Sequence, residues 1–457
     1  YYSGFLASRR EALNGRDQIA ATGEIDAEFS NVAAAWRWAV ANGRFDLVDP
    51  ATYPLFCYLT FRARFFEADD LASVAINAVE QAGDAQADLL GGLLMHHFWV
   101  LSRLGRARES YSTFARVDAL FADGREPRPG IGMDPRMAAC VLQIGGGNYG
   151  AAAAAILPAL EAAHARGDQP ALAFAAWLAG VARLREANLE RAELEPGRFG
   201  CRPSSDEHPA LDDAARFGSL ASRILESAGE SWLRGYVEIE RGLITKAFGD
   251  MEGAIEHFRT ACDLRRSIGD AQGTASALIY LADTLIEMPH FEELAAIHAE
   301  ARELFARIGD ATGLSEVERF AGLMAVARDD FPAATEHFVR TIELSTEIGF
   351  ANNVLSALRG LARVLSATGR VETAAVVNAF VAAHPAPTPF GRAGAEFDLA
   401  EARRTLGDEP VDRAQARAAS MDVGAITELA LKAIADPTPQ GPAVSPLAKR
   451  GRRLLVA

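Results

Sequence analysis

Three segments of the chain recur at a fixed interval: ACDLRRSIGD at 261–270, ARELFARIGD at 301–310 and TIELSTEIGF at 341–350. The interval is 40 residues, and Phe258 and Phe338, each closing an EHF triplet, stand at twice that distance. A period between about 20 and 50 residues marks a stack of supersecondary units, because one such unit cannot bury its own apolar face. This feature restricts the fold more than any other in the sequence.

Each period resolves into two helices. In the segment 272–310 one helix is predicted over 273–287 and a second over 291–307, ending at Ile-Gly-Asp. The second carries Leu294, Ile297, Ala301, Leu304 and Ile308, whose steps of three and four make one buried stripe. Glycine at the end of such a run supplies the left-handed residue that closes a helix. Small residues recur at fixed places: Gly242, Ala282, Gly322 and Ala362 in the first helices, Ala254, Ala334 and Ala374 in the second. They let neighbouring helices approach to about 8–10 Å. Met251, Phe291 and Phe331 each open a second helix. Composition agrees, with 49% hydrophobic residues and only 8% aromatic ones.

This pattern resembles the tetratricopeptide repeat in a long form of about 40 residues. Ala63, Phe65, Ala68, Ala75 and Gly83 match one unit, Gly105 and Ser110 a weaker one, and Gly180, Ala214, Ala221 and Gly229 another. The resemblance implies an all-α, right-handed α-solenoid of some seven to eight helix pairs. Each pair is expected to touch only the pair before it and the pair behind. A Pro-, Gly- and Ser-rich insertion at about 195–212 is expected to be an exposed loop.

Gly145–Gly150, GGGNYG, fits G-x-G-x-x-G letter for letter. A dinucleotide loop must follow a buried strand and open a helix. Here RMAACVLQI precedes it and reads as helix, so Gly147, Asn148 and Tyr149 are placed on an inter-helix turn.

Other chemistry is sparse. No G-x-x-x-x-G-K-[ST], H-E-x-x-H or G-x-S-x-G occurs. Cys57, Cys140, Cys201 and Cys262 are scattered, which fits reduced core residues rather than a zinc or redox pair. His96 and His97 are adjacent on a helix and point about 100° apart, so one metal cannot easily take both. His257 and His337 repeat with the repeat and are expected roughly 20 Å apart, at about 10 Å per helix layer. A net charge of -15 argues against general nucleic-acid binding. No catalytic residue, cofactor or metal is assigned. With no charged-then-apolar leader and no long apolar run, the chain is expected in the cytoplasm.

In tetratricopeptide arrays the first helices line the concave face, where ligands bind. By register that face should show Tyr236, Lys246, Ser276, Asp283, Glu287, Glu316, Arg319, Ser356, Arg359 and Arg363. Arg319, Arg359 and Arg363 converging on a groove would grip a carboxylate or phosphate. The plainer reading is that Glu316, Asp283 and Glu287 neutralise them as surface pairs worth little. A protein, a peptide or a small anionic effector is the expected partner.

The ends carry further resemblances. Asp26, Glu28, Asn31, Ala35, Trp38 and Ala39 resemble a helical motif that opens the repeat arm of STAND-type bacterial signalling ATPases, in which an NTPase core precedes the repeats. SPLAKRGRRLLVA at 445–457 resembles the start of a LuxR-type helix-turn-helix domain, or is a basic tail; Gly451 stands where that family favours an acid. The expected organisation is an N-terminal cap at 1–44, a repeat array at 45–383, capping helices at 384–436, and a linker with a basic tail at 437–457. The resemblance implies the sensor arm of a larger ATPase, a transcriptional regulator, with the NTPase core upstream of Tyr1. Direct DNA or membrane binding by this chain is not expected. A free-standing tetratricopeptide adaptor is the alternative, and a helical enzyme with its site at 195–212 a third.

Overall fold

A computed structural model describes residues 1–122, 124–194, 208–286, 291–385 and 389–436. Among the described residues there are 22 α-helices and no strand, so the chain belongs to the all-α class of tetratricopeptide-like repeats. The first three helices are α1 (Tyr2–Ala7), α2 (Arg10–Leu13) and α3 (Gln18–Ala41). Eight helix pairs follow in sequence. They are α4 (Phe45–Phe61) with α5 (Phe65–Ala82), α6 (Ala87–Arg103) with α7 (Ala107–Phe121), and α8 (Pro135–Gly145) with α9 (Tyr149–Arg166). Next come α10 (Gln169–Leu194) with α11 (Pro209–Ala228), α12 (Trp232–Ala247) with α13 (Met251–Ser267), and α14 (Ala271–Ile286) with α15 (Phe291–Ile308). The last pairs are α16 (Ala311–Ala327) with α17 (Phe331–Glu347) and α18 (Ala351–Ala367) with α19 (Val371–Ala383). The closing helices are α20 (Pro389–Leu406), α21 (Asp408–Ala418) and α22 (Val423–Ala435).

The Ile-Gly-Asp signature has a two-part explanation. Gly309 takes φ 70°, the left-handed conformation that ends α15. Asp310 then caps α16, its carboxylate accepting from the Gly313 amide at 2.8 Å. Asp250, Asp270 and Asp330 do the same for Gly253, Gly273 and Ala333. One dipeptide therefore ends one helix and starts the next.

Small residues meet large ones as the register requires. A methyl group on Gly242 would lie 2.6 Å from the Phe258 ring, and one on Gly322 would lie 2.6 Å from Phe338. Both phenylalanines are fully buried, each contributing about 1.5–3 kcal/mol. GGGNYG is a turn between helices: α8 ends at Gly145, Gly147 has φ 78°, and the buried Tyr149 opens α9. The insertion is shorter at its far end than expected, because Pro209–Asp212 already form the start of α11, with proline in the first turn where its missing N–H costs nothing. Residues 195–207, the tail at 437–457 and Glu287 lie outside the described residues.

Contacts divide the chain into two units. The first comprises Tyr1–Glu186, Glu207–Ile244 and Glu256–Ala277; the second comprises Ala187–Asp206, Thr245–Ile255 and Leu278–Ala457.

The first unit corrects the expectation that each pair touches only its neighbours. The buried Gln18 amide, at the start of α3, donates to Glu230 at 2.7 Å across 212 residues. Phe61 lies against Trp232 with ring centroids 5.0 Å apart, and Arg62 donates to the Ile268 carbonyl. The cause is cumulative: each helix pair is rotated slightly against the last, and within this unit the rotations bring α12 round to the N-terminal helices.

Candidate functional site

Closure of the first unit encloses a cavity that no motif announced. Cys57, Thr60 and Phe61 of α4, Phe65 of α5, and His96, Trp99 and Arg103 of α6 form one part of its wall. Phe174 and Trp177 of α10, Trp232 of α12, and Ile131 with Gly132 complete it. It is partly open to solvent, and the space inside it that the centre of a water-sized sphere can reach is about 50 Å³.

The loop between α7 and α8 shapes one side. Trp99 Nε1 donates to the Gly132 carbonyl at 2.8 Å, and the Ile131 amide donates to the Tyr53 hydroxyl at 3.2 Å. The loop approaches its neighbours closely enough to need glycine. A methyl group on Gly130 would lie 2.3 Å from the Tyr53 ring, and one on Gly132 would lie 2.6 Å from Trp99 Nε1. Both glycines also have positive φ.

The wall is apolar but not inert. Burial pushes the His96 imidazole down to about 3, helped by the positive charges of Arg10 and Arg128. The ring is therefore neutral at any ordinary pH; it stacks on Phe56 at 5.2 Å, and its Nε2 has no hydrogen-bond partner. Trp232 Nε1 is likewise buried without one. Leaving such a group unsatisfied costs about 1–3 kcal/mol. Burial pushes the Cys57 thiol up to about 12, so it is an inert thiol. Arg103 is half-buried with its guanidinium 5.0 Å from the centroid of Tyr236, and among the described residues no carboxylate pairs with it.

Two further groups in this unit are fully buried. Arg265 is 0% exposed, pairs with Asp270 at 2.6 Å and lies 3.5 Å over Tyr236. Glu240 is 2% exposed and neither carboxyl oxygen has a hydrogen-bond partner. Its carboxyl fills the space left by a missing side chain, since a methyl group on Gly180 would lie 1.9 Å from it. Burial holds the Glu240 carboxyl well above the usual carboxylate range.

The residues expected on a concave face have varied fates. Tyr236 and Ser276, both half-buried, belong to the first unit. Tyr236 carries Arg265 on its face. In the second unit Lys246 and Asp283 are buried and paired at 2.8 Å, where an open surface was expected. Burial raises Asp283, while Lys246 and Arg319 act to lower it. Arg319 pairs with Glu316 at 2.9 Å and lies 4.4 Å over Phe320. Ser356 is exposed and its hydroxyl donates to the Asn352 carbonyl. Arg359 is buried against Asp398 of α20 at 3.1 Å. Burial, and then the positive charge of Arg359, pushes Arg363 down to about 10; Asp398 opposes the shift and Arg319 adds to it. The three arginines are thus within electrostatic reach of one another.

Three of the histidines pair with acids. His257 meets Glu238 at 2.7 Å and His337 meets Glu318 at 2.8 Å, two copies of one contact at a spacing of 80 residues. His97 meets Asp69 at 2.8 Å. No group of three or more potential metal ligands occurs among the described residues. None of the described helices is long and apolar enough to cross a membrane.

No protein-family model matches the chain, and no curated protein does. Among solved structures it is similar to a signal-transduction ATPase with numerous domains (STAND) carrying a tetratricopeptide repeat sensor, from Pyrococcus horikoshii. That match has 14% identity and a TM-score of 0.44, and covers 80% of this chain and 54% of the other. The chain thus spans about half the length of that protein. A second similarity is to the Cut9–Hcn1 hetero-tetramer of APC/C, at 12% identity and TM-score 0.17, covering 84% and 95%. A third is to a circular tandem repeat protein, at 15% and 0.14, covering 94% and 97%. What the chain does is read from its own residues.

Proposed function

We propose that this chain is a binding arm, not a catalyst, and that it senses a small effector inside its first unit. The aromatic cavity supports this reading. Six aromatic rings and few polar atoms converge there, the composition of a ligand site and not of a reaction centre. Its one thiol is held protonated and its one imidazole has too low a pKa to serve as a general base near neutrality.

In the finer form of the reading, the arm belongs to a STAND-type signalling ATPase that regulates transcription, as the resemblances at 26–39 and 445–457 suggest. Binding would then shift the arm between two poses and release the NTPase core to assemble. The clustered arginines of the second unit favour a second role, holding an acidic segment of a partner protein. That role also suits a free-standing adaptor.

A thermal-shift screen of small metabolites on the whole chain tests the arm reading. The expected hit raises the melting temperature saturably and loses its effect in Trp177→Ala. A screen without hits, or hits indifferent to that substitution, contradicts it.

A further inference from the structure

The wall of the cavity selects among ligands. It carries no Asp, Glu, Asn or Gln side chain. A sugar, whose hydroxyls need such partners in number, is poorly served. The Thr60 hydroxyl is already engaged with the Phe56 carbonyl, and Trp99 Nε1 with Gly132. What remains without a carboxylate partner is the Arg103 guanidinium; His96 Nε2 and Trp232 Nε1 also lack partners but are buried.

The local charge is positive. Arg10 and Arg128 both act on His96. The acids nearby are committed: Asp49 pairs with Arg128, and Glu230 accepts from the Gln18 side chain and the amides of Trp232 and Leu233. One guanidinium without a carboxylate, beside aromatic rings that meet edge-on or tilted, matches a singly charged anion on a planar apolar body. A phosphate dianion would call for more than one cation on the wall.

Resting on the sensor-arm reading, we propose that the cavity takes a small aromatic carboxylate, its ring against Trp99, Phe174 and Trp177, which line the cavity, and its carboxylate on Arg103. The aromatic body gains offset or edge-to-face packing against these rings. The carboxylate gains a charge-assisted, two-pronged bond to the guanidinium.

Isothermal titration of the whole chain with 2-naphthoate, 2-naphthalenemethanol and cyclohexanecarboxylate tests the proposal. One 2-naphthoate should bind per chain, at least tenfold more tightly than either of the others. Arg103→Gln should reduce the acid to the level of the alcohol and leave the alcohol unchanged, and Arg103→Lys should restore part of the difference. If Arg103→Gln lowers the melting temperature, ionic strength replaces it: added salt should weaken the acid and not the alcohol. Equal binding of acid and alcohol, or acid binding that survives Arg103→Gln, overturns the proposal and leaves the sensor-arm reading standing. Absence of binding by both naphthyl compounds also overturns it, and the metabolite screen then decides the sensor-arm reading separately.

Discussion

Gln18 and Glu230, both buried and 212 residues apart in sequence, form a 2.7 Å hydrogen bond. Gln18 also accepts from the Trp232 amide at 2.9 Å, and Glu230 accepts from the Leu233 amide at 2.8 Å. The pair caps α12 and fastens it to the start of α3. Gln18→Ala should destabilise the first unit by about 1–3 kcal/mol, the cost of leaving buried polar groups unmatched. A double-mutant cycle with Glu230→Ala, followed by urea unfolding, should show a coupling of about 0.5–3 kcal/mol. Additive losses would mean that the closure is not made by this contact.

Gly322 faces the Phe338 ring closely enough that a methyl group would stand 2.6 Å from it. Gly322→Ala should therefore cost about 1–3 kcal/mol by overpacking. Adding Phe338→Leu in the same chain should recover part of that loss in a denaturant titration. Gly349, with no atom within 4 Å of the same position but a φ of 72°, should be sensitive to alanine for the different reason of backbone strain.

Glu240 makes stability depend on pH in a stated direction. Its pKa is raised in the folded chain by burial, from an ordinary value of 4.5. The folded state therefore holds a proton that the unfolded state releases. The associated stability is complete below about 4.5 and is lost as pH rises, by up to about 1.4 kcal/mol per pH unit until the folded group titrates. Glu240→Gln should remove this dependence, so its melting temperature relative to the wild type's should rise as pH increases above about 4.5. A constant margin would show that folding does not raise the Glu240 pKa. Comparing the two chains cancels the opposing contributions of Glu238 and Glu318, which their histidine partners lower.

The second unit's arginines call for separate substitutions. Arg319→Gln with Arg363→Gln should weaken binding of a poly-glutamate peptide about tenfold and reduce its salt dependence, with helicity by circular dichroism unchanged. Arg359→Glu should instead destabilise the unit by about 3–5 kcal/mol, because it sets a buried carboxylate beside the partly exposed Asp398 in place of their ion pair. Peptide binding indifferent to the double substitution would remove the acidic partner from the account.

The repeat was legible because its causes are local. Gly309 and Asp310 end one helix and start the next, and Gly322 opposes Phe338 at a fixed offset. The turn at Gly147 could be told from a phosphate loop because helix, not strand, precedes it. The register also placed Arg319, Arg359 and Arg363 within reach of one another, but it could not give depth. Arg359 is buried by Asp398, which lies in α20, past the repeats the register covered. The cavity was missed for a related reason. Phe61, Trp99, Phe174 and Trp232 come from helices spaced unevenly by the loop before α8 and the segment after α10, so no period aligns them. The available signal was that three of the chain's five tryptophans, Trp99, Trp177 and Trp232, sit on first helices of the N-terminal pairs. Closure itself is a sum of small rotations, which no short window of sequence contains.

Amide hydrogen exchange on the whole chain, with and without saturating 2-naphthoate, tests the central claim most directly. If the chain is a sensor arm that takes its effector within the first unit, protection should increase in α4, α6, α10 and the loop between α7 and α8. Protection confined to the helices of the second unit, or no change anywhere while the compound is bound, would contradict it.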